Sequence, residues 1–342
     1  MKMKKEFDLL ALGEVLLRLS PVNDDRLVRG DTFEKRVGGA ELNVLTGASL
    51  LGLRTGIISR LPDNDIGKFA KNAIRFSGVS DDYLAYDASK DARLGIYYYE
   101  SGLYPRKPRV VYDRAHSSFQ KISINDFDES LYESARCFHT SGITLALCED
   151  SRATAIEMIK RFKAAGALIS FDVNFRGNLW SGEEARACIE TILPYVDIFF
   201  CSEDTARLTF KKEGTAEELM KSFTDDYPIS VVASTQRVVH SPRHHDFGSV
   251  LYSRKTDTYY KEEPYKRIQV IDRIGSGDSY VGGVLYALLS EPENYQRAVE
   301  FGTAYSAVKN TVRGDMPLSG RDEIKSVIQD HKNTGYQSEM SR

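Results

Sequence analysis

The stretch Asp272-Arg273-Ile274-Gly275-Ser276-Gly277-Asp278 joins a β-rich segment, Ile268–Ile271, to an apolar, helix-compatible run, Ser279–Leu289. Glycines at 275 and 277 let the backbone turn tightly and leave several N–H groups pointing outward at the start of the helix. Unpaired donors and the positive end of the helix dipole both favour an anion there, above all a phosphate. Asp278 then stands beside the anion cradle. A carboxylate is the wrong group to hold phosphate but suits accepting a proton from an attacking hydroxyl. The pairing suggests phosphoryl transfer, although the same residues alone also read as a plain glycine turn capped by an aspartate.

The strand–turn–helix rhythm continues outward from this point. Phe7–Leu12, Gly56–Leu61, Ala167–Phe171, Val196–Cys201 and Ile229–Ala233 are brief and apolar and read as buried strands. Helical patterns lie between them: Leu42–Leu51 closed by Gly52, Ser151–Ala165 closed by Gly166, and one opened by the capping box Thr215-x-x-Glu218. This alternation predicts an α/β fold with a mostly parallel sheet covered by helices on both faces. Two regions break the rhythm. Residues 14–37 are polar, with Leu16, Leu17 and Leu19 alternating only loosely. Residues 93–114 read as two strands, Leu94–Glu100 and Arg109–Asp113, around a turn holding Gly102, Pro105 and Pro108. With no helix between them the two strands pair antiparallel, which predicts a small β-sheet lid over a site. A further meander, Ser249–Tyr252 and Thr258–Lys261, is predicted to follow a basic loop, Arg237–His245. The reading gives one domain over residues 1–330, its lid formed from about 14–37 and 93–114, and a polar, frayed tail at 331–342.

Composition narrows the function. With 342 residues and 42% hydrophobic content, the chain can build a substantial core. A formal charge of −3 gives no basic footprint for nucleic acid, and no apolar run approaches the length of a membrane span. The lysine-rich start is interrupted by Glu6, Asp8 and Glu14, so no export signal is read there. Four scattered cysteines, Cys137, Cys148, Cys188 and Cys201, fit reduced structural thiols in a cytoplasmic protein.

A second glycine pair, Gly38-Gly39-Ala40-Glu41-Leu42-Asn43, precedes a helix near the other end of the chain. It permits close backbone approach to a ligand, with Asn43 placed to bond hydroxyls; a tight loop with a surface asparagine is the plainer reading. Neither a Walker motif nor a G-x-G-x-x-G following a strand occurs.

Together, Gly38-Gly39-x-x-x-Asn43 and Gly275-x-Gly277-Asp278 resemble the ribokinase/PfkB family of carbohydrate kinases. Gly56-x-x-x-Arg60-Leu61-x-Asp63-x-x-x-Gly67 is similar to a further segment of that family, with Arg60-Leu61-Pro62 replacing its glycine-containing middle. The resemblance covers about residues 7–330 and implies a ribokinase-like three-layer sandwich with a β lid. It implies Mg²⁺ and ATP on the donor side and a sugar as acceptor. Asp278 would be the base, and the amides of Gly275, Ser276 and Gly277 the anion hole.

Within the family, 2-keto-3-deoxygluconate kinases carry segments similar to Tyr112-Asp113-Arg114 and Asp172-Val173-Asn174-Phe175-Arg176. The resemblance gives Tyr97, Tyr112, Arg114 and Arg176 as contacts to an acid substrate, beside Gly38, Gly39 and Asn43. A carboxylate held away from water does need a bidentate cation. An Arg176–Asp172 ion pair and an exposed edge-strand Arg114 are the structural alternatives. On the nucleotide side, Ser202-Glu203-Asp204-Thr205 stands where the family has N-x-x-E, leaving Glu203 or Asp204 to organise the metal indirectly. Ser202, Thr235, Arg237, Gly275, Gly277 and Lys309 are the expected nucleotide contacts, with a solvated helix lysine the alternative for Lys309. His244 and His245 read as solvated loop residues. The expected reaction is phosphorylation of 2-dehydro-3-deoxy-D-gluconate to its 6-phosphate. The rivals are a kinase for fructose, ribose or a deoxy-inosose derivative, and a non-catalytic sugar sensor. Apolar groups on both faces of the lid strand, Leu94, Ile96 and Tyr98 against Tyr97 and Tyr99, predict a homodimer or higher homo-oligomer joined through the lid.

Overall fold

The computed structural model describes residues 5–333. Its strands, in chain order, are β1 (Phe7–Leu12), β2 (Leu16–Pro21), β3 (Phe33–Gly38), β4 (Thr55–Pro62), β5 (Ser80–Asp87), β6 (Gly95–Glu100), β7 (Arg109–Asp113), β8 (Ala135–Ser141), β9 (Leu168–Asp172), β10 (Ile198–Phe200), β11 (Val231–Ser241), β12 (His244–Ser253) and β13 (Thr258–Gln269). The helices are α1 (Ala40–Leu51), α2 (Asp65–Phe76), α3 (Gly142–Ala146), α4 (Glu149–Ala164), α5 (Gly182–Glu190), α6 (Glu203–Leu208), α7 (Ala216–Asp226), α8 (Ser276–Ser290), α9 (Tyr295–Lys309) and α10 (Arg321–Lys332). Nine strands make one sheet in the order β13-β12-β11-β10-β9-β8-β1-β4-β5, and four make a second in the order β3-β2-β6-β7. The large sheet is parallel from β11 to β5; β12 and β13 join antiparallel.

Helices bury both faces, so the central strands read as unbroken apolar runs. Alternate residues go to opposite cores: Leu9, Ala11, Ile198, Phe200, Val231 and Ala233 pack toward α1, α8 and α9, while Leu10, Leu12, Phe199 and Val232 pack toward α4, α5 and α7. This is the expected three-layer sandwich. Several local expectations are met as well. Thr215 and Glu218 close a capping box around α7, and Gly52 ends α1 at φ 116°. Gly67 lies so close to Pro62 that a Cβ would meet its carbonyl oxygen at 1.9 Å.

Two expectations need correction. The basic loop does not exist: β11 runs on to Ser241 and β12 starts at His244, so Arg237 and His245 sit on a long hairpin whose paired backbone decides the matter. The polar stretch 14–37, assigned to the lid, forms the antiparallel strand pair β2–β3 and shares one four-stranded sheet with β6 and β7. The expected tail starts at 331, but His331 and Lys332 belong to α10; the rest of that expectation, residues 334–342, lies outside the described residues. Among the described residues, no helix is long and apolar enough to cross a membrane.

The lid's outer face is less bare than its alternation suggests. Leu94 is 5% exposed and belongs to the main core with Leu17 and Val37, and Ile96 and Phe69 of α2 pack against it. Only the far end stays open, where half-buried Tyr98 meets Phe33 edge-on at 6.2 Å and pairs with Val111, 46% exposed.

Candidate active site

Chain order reverses beside β1: β4 and β5 continue on one side, and β8 to β13 on the other. In open α/β sheets ligands bind outside the carboxyl ends of strands at such a switch point. A cavity of about 650 Å³ occupies that place. It collects Glu14 after β1, Asp172 at the end of β9, Ser202 after β10, Thr235 on β11, Asn43 on α1 and the start of α8, with Tyr97, Tyr112 and Arg114 of the lid above.

Gly275 is the left-handed N-cap of α8, at φ 80° and ψ 0°. A Cβ there would meet the Asp315 carbonyl oxygen at 1.9 Å, so both conformation and space require glycine. Gly277 differs from its expected part: it lies inside the first helical turn, and a Cβ would meet nothing within 4 Å. Its value is open space above the helix start. The Ser276 N–H donates to the Arg273 carbonyl at 3.3 Å, whereas the amides of Gly275, Gly277 and Asp278 have no acceptor among the described residues. Three unpaired amides at the positive end of a fifteen-residue helix make an anion cradle.

Asp278 faces it. The Asn43 amide donates to Asp278 Oδ2 at 2.7 Å, and buried Asn43 Oδ1 has no protein partner, which leaves an acceptor for a ligand hydroxyl. Burial pushes the Asp278 carboxyl up to about 7; the Asn43 bond works against this, and the nearby Asp172 charge works with it. Burial also raises Asp172 to about 7, and Glu41, held by Ser141 and Thr144, shifts in the same direction.

The cations divide into two groups. Arg114 is engaged: Glu14 accepts from its Nε at 2.8 Å and from its Nη2, and also takes the Ser117 hydroxyl. Arg176 is exposed and donates only to the carbonyls of Asn174 and Phe175, at 3.3 and 3.0 Å, so neither an Asp172 ion pair nor any other carboxylate ties it. Arg237 and Arg273 also line the cavity, with no carboxylate partner among the described residues. Partial desolvation at the cavity wall, with the Arg273 charge close by, lowers Arg237 although its side chain stays exposed. Arg273 stands inside the glycine motif, and nothing in the sequence singled it out.

Other expected residues fall elsewhere. Tyr97 lines the cavity, but its hydroxyl is spent on Asp315. Arg18, also unforeseen, bridges Asp272 at 2.6 Å and Asp315 at 2.7 Å and packs over the Tyr99 ring at 4.4 Å, a network that braces the lid against the glycine turn. Gly38 supports this network and does not line the cavity; a Cβ would meet Asp315 Oδ2 at 2.1 Å. Gly39, at φ 149°, caps α1 on the cavity wall. Ser202 lines the cavity as N-cap of α6, bonded to the Thr205 N–H and hydroxyl.

Glu203 and Asp204 do not line it: Glu203 pairs with Arg207 at 2.7 Å and Asp204 faces solvent. Lys309, expected as a nucleotide contact or a solvated lysine, neither lines the cavity nor lies in solvent. It is 1% exposed and donates to the carbonyls of Asp272 and Val312. No group of described carboxylates, histidines or cysteines forms a metal cage. A magnesium ion carried on nucleotide phosphates keeps most of its waters and needs only one or two carboxylates. Asp172 fits that need, since only its Oδ1 is engaged, by the Asn174 N–H at 3.1 Å.

Comparison with known proteins places this site in context. The profile of the pfkB family carbohydrate kinases matches residues 6–319. A 2-dehydro-3-deoxygalactonokinase of Haloferax volcanii is 34% identical over 321 residues, 94% of this chain and 96% of that one. The crystal structure of 2-dehydro-3-deoxygluconokinase from Thermotoga maritima superposes with a TM-score of 0.89 at 31% identity, covering 94% of this chain and 99% of that one. A fructokinase from Xylella fastidiosa with bound ATP shares the fold, with a TM-score of 0.79 at 22% identity over 96% of this chain and 99% of that one.

Proposed function

The chain belongs to the pfkB family of carbohydrate kinases, and from that premise we propose that it transfers the γ-phosphoryl group of ATP to the 6-hydroxyl of 2-dehydro-3-deoxy-D-gluconate. The observation that carries the reading is the meeting, in one cavity, of Asp278 with three unpaired amides and an Arg176 that no carboxylate ties. Asp278 accepts the hydroxyl proton while Asn43 holds its carboxylate toward the sugar. The amides of Gly275, Gly277 and Asp278 meet the negative charge on the transferring group, and Arg237 and Arg273 hold the remaining phosphates. Asp172 would hold a magnesium ion that accompanies the nucleotide, and the ion would supply neutralisation of phosphate charge. Arg176 takes the sugar carboxylate, and the lid excludes water as a competing acceptor. The 4-epimer, 2-dehydro-3-deoxygalactonate, is the second reading, favoured by the activity of the Haloferax relative. A screen of ADP release with both acids, aldonates, and neutral sugars such as fructose and ribose decides among them. Turnover of neutral sugars alone excludes the acid, and sugar binding without any ADP release points to a sensor.

Arg176→Lys is expected to lower kcat/KM for the acid by ~10-fold while sparing any neutral sugar, because lysine keeps the charge but loses the two-point geometry. Unchanged kcat/KM for the acid moves the carboxylate elsewhere and leaves the kinase assignment standing. Arg114→Lys tests a different role, since its partner is Glu14.

We also propose that two lids pack together around Tyr98, Phe33 and Val111. Light scattering at micromolar concentration is expected to give a dimer or larger assembly. The double variant Tyr98→Glu/Val111→Glu is expected to dissociate it, whereas Leu94, a core residue, is unsuitable for such a test. A strict monomer overturns the assembly.

A further inference from the structure

Lys309 is the last residue of α9 and is buried to 1% exposure. An ammonium so placed is costly unless its charge is used. Here its Nζ meets two backbone carbonyls, Asp272 at 3.1 Å and Val312 at 3.4 Å, and no carboxylate. Those carbonyls belong to the two loops that frame the anion cradle. The first leads directly into Gly275. The second leads to Asp315, whose own carbonyl lies against the Gly275 α-carbon. The same loops are laced together by the Asp272 side chain, which accepts the N–H of Ile274 and of Gly314, each at 3.1 Å. The end of α9 joins in, since the Asn310 carbonyl accepts the N–H of Ile271 at 2.8 Å. Lys309 is the cation at the centre of this lacing.

We propose that Lys309 is a positioning residue for phosphoryl transfer: its ammonium clamps the 272 and 312 loops at the separation that aims the amides of Gly275, Gly277 and Asp278 at the transferring group. The inference rests on the anion-cradle reading above. Two carbonyl oxygens around a buried positive charge also describe a place that a small monovalent cation can take when the side chain is removed. The charged groups facing Lys309 are Asp272 and Asp315 on the two loops, Arg18 on β2 and Asp278 on α8. Burial outweighs their net pull and brings the ammonium down to about 8.

Two variants and the native enzyme test this. Lys309→Met keeps the length and loses the charge. It is expected to fold, to bind the sugar acid with unchanged affinity by calorimetry, and to lose ~10-fold or more in kcat with the sugar KM unaltered. Lys309→Ala leaves a void beside the carbonyls; ammonium chloride is expected to raise both its melting temperature and its kcat, while choline chloride does neither and the wild type responds to neither salt. In the wild type, kcat/KM for ATP is expected to fall as pH rises through about 8, as the clamp loses its charge. A folded Lys309→Met with wild-type kcat overturns the proposal, as does an alanine variant indifferent to ammonium. Should neither variant fold, a wild-type kcat/KM for ATP that stays level to high pH overturns it as well. Absence of ADP release by the wild type with every sugar instead removes the kinase reading on which the proposal stands, so the two failures are distinct.

Discussion

Asp278→Asn is expected to bind sugar as the wild type does and to lower kcat by ~10²–10⁴, the contribution of a positioned general base. The replacement is nearly isosteric and can still bond with Asn43, so the cavity wall stays in place. What is lost is the lone pair that takes the hydroxyl proton. Burial has raised this carboxyl to about 7, near a working pH, where a base combines adequate strength with adequate ionisation. For the wild type, kcat/KM for the sugar should therefore fall as pH drops below about 7, and the asparagine variant should lack that limb. The same shift has a stability consequence of definite sign. The folded carboxyl holds its proton more tightly than the unfolded chain does, at about 7 against an ordinary 3.8, so stability is lost as pH rises between those values. Asp278→Asn should thus raise the melting temperature relative to wild type more at pH 8 than at pH 5. A variant keeping more than about a tenth of wild-type kcat, with chemistry limiting turnover, removes Asp278 from the mechanism.

What the sequence disclosed follows from the range over which each signal acts. Strand and helix identities came from periodicity and local punctuation, so β1, α7 and the glycine after α1 were legible. The lid was half legible: β6 and β7 carry strong patterns, whereas β2 and β3 mix Arg18, Lys35 and Arg36 among their apolar residues and are held by pairing that no window of sequence contains. The same blindness to pairing turned the β11–β12 hairpin into a loop. At the site, motif spacing brought Asp278 and Asn43 to the same place from 235 positions apart. It could not show that Glu14 engages Arg114, that Asp315 takes the Tyr97 hydroxyl, or that Lys309 points inward. Each of those depends on a partner a hundred or more residues away or on the depth of burial, and neither leaves a local trace.

The two glycines of the cradle allow a test that separates folding from chemistry. Gly275→Ala is expected to damage both. Alanine in a left-handed conformation costs ~1–2 kcal/mol, and its methyl group would lie 1.9 Å from the Asp315 carbonyl oxygen, so the loop must shift. A lower melting temperature and a large loss of kcat should appear together. Gly277→Ala should part them. Its Cβ meets nothing within 4 Å, and its position in the first turn of α8 has no left-handed angle to forbid a side chain. Alanine in a helix is favoured over glycine by up to ~1 kcal/mol, so the melting temperature should hold or rise. The open space it fills, however, is the cavity over the unpaired amides, where the transferring phosphoryl group must lie. Blocking one donor of such a cradle costs ~10²–10³ in rate, and we expect kcat/KM for ATP to fall on that scale while sugar binding is unchanged. An active, stable Gly277→Ala enzyme would mean that phosphate never passes over this turn, and the start of α8 would then be a helix cap like any other.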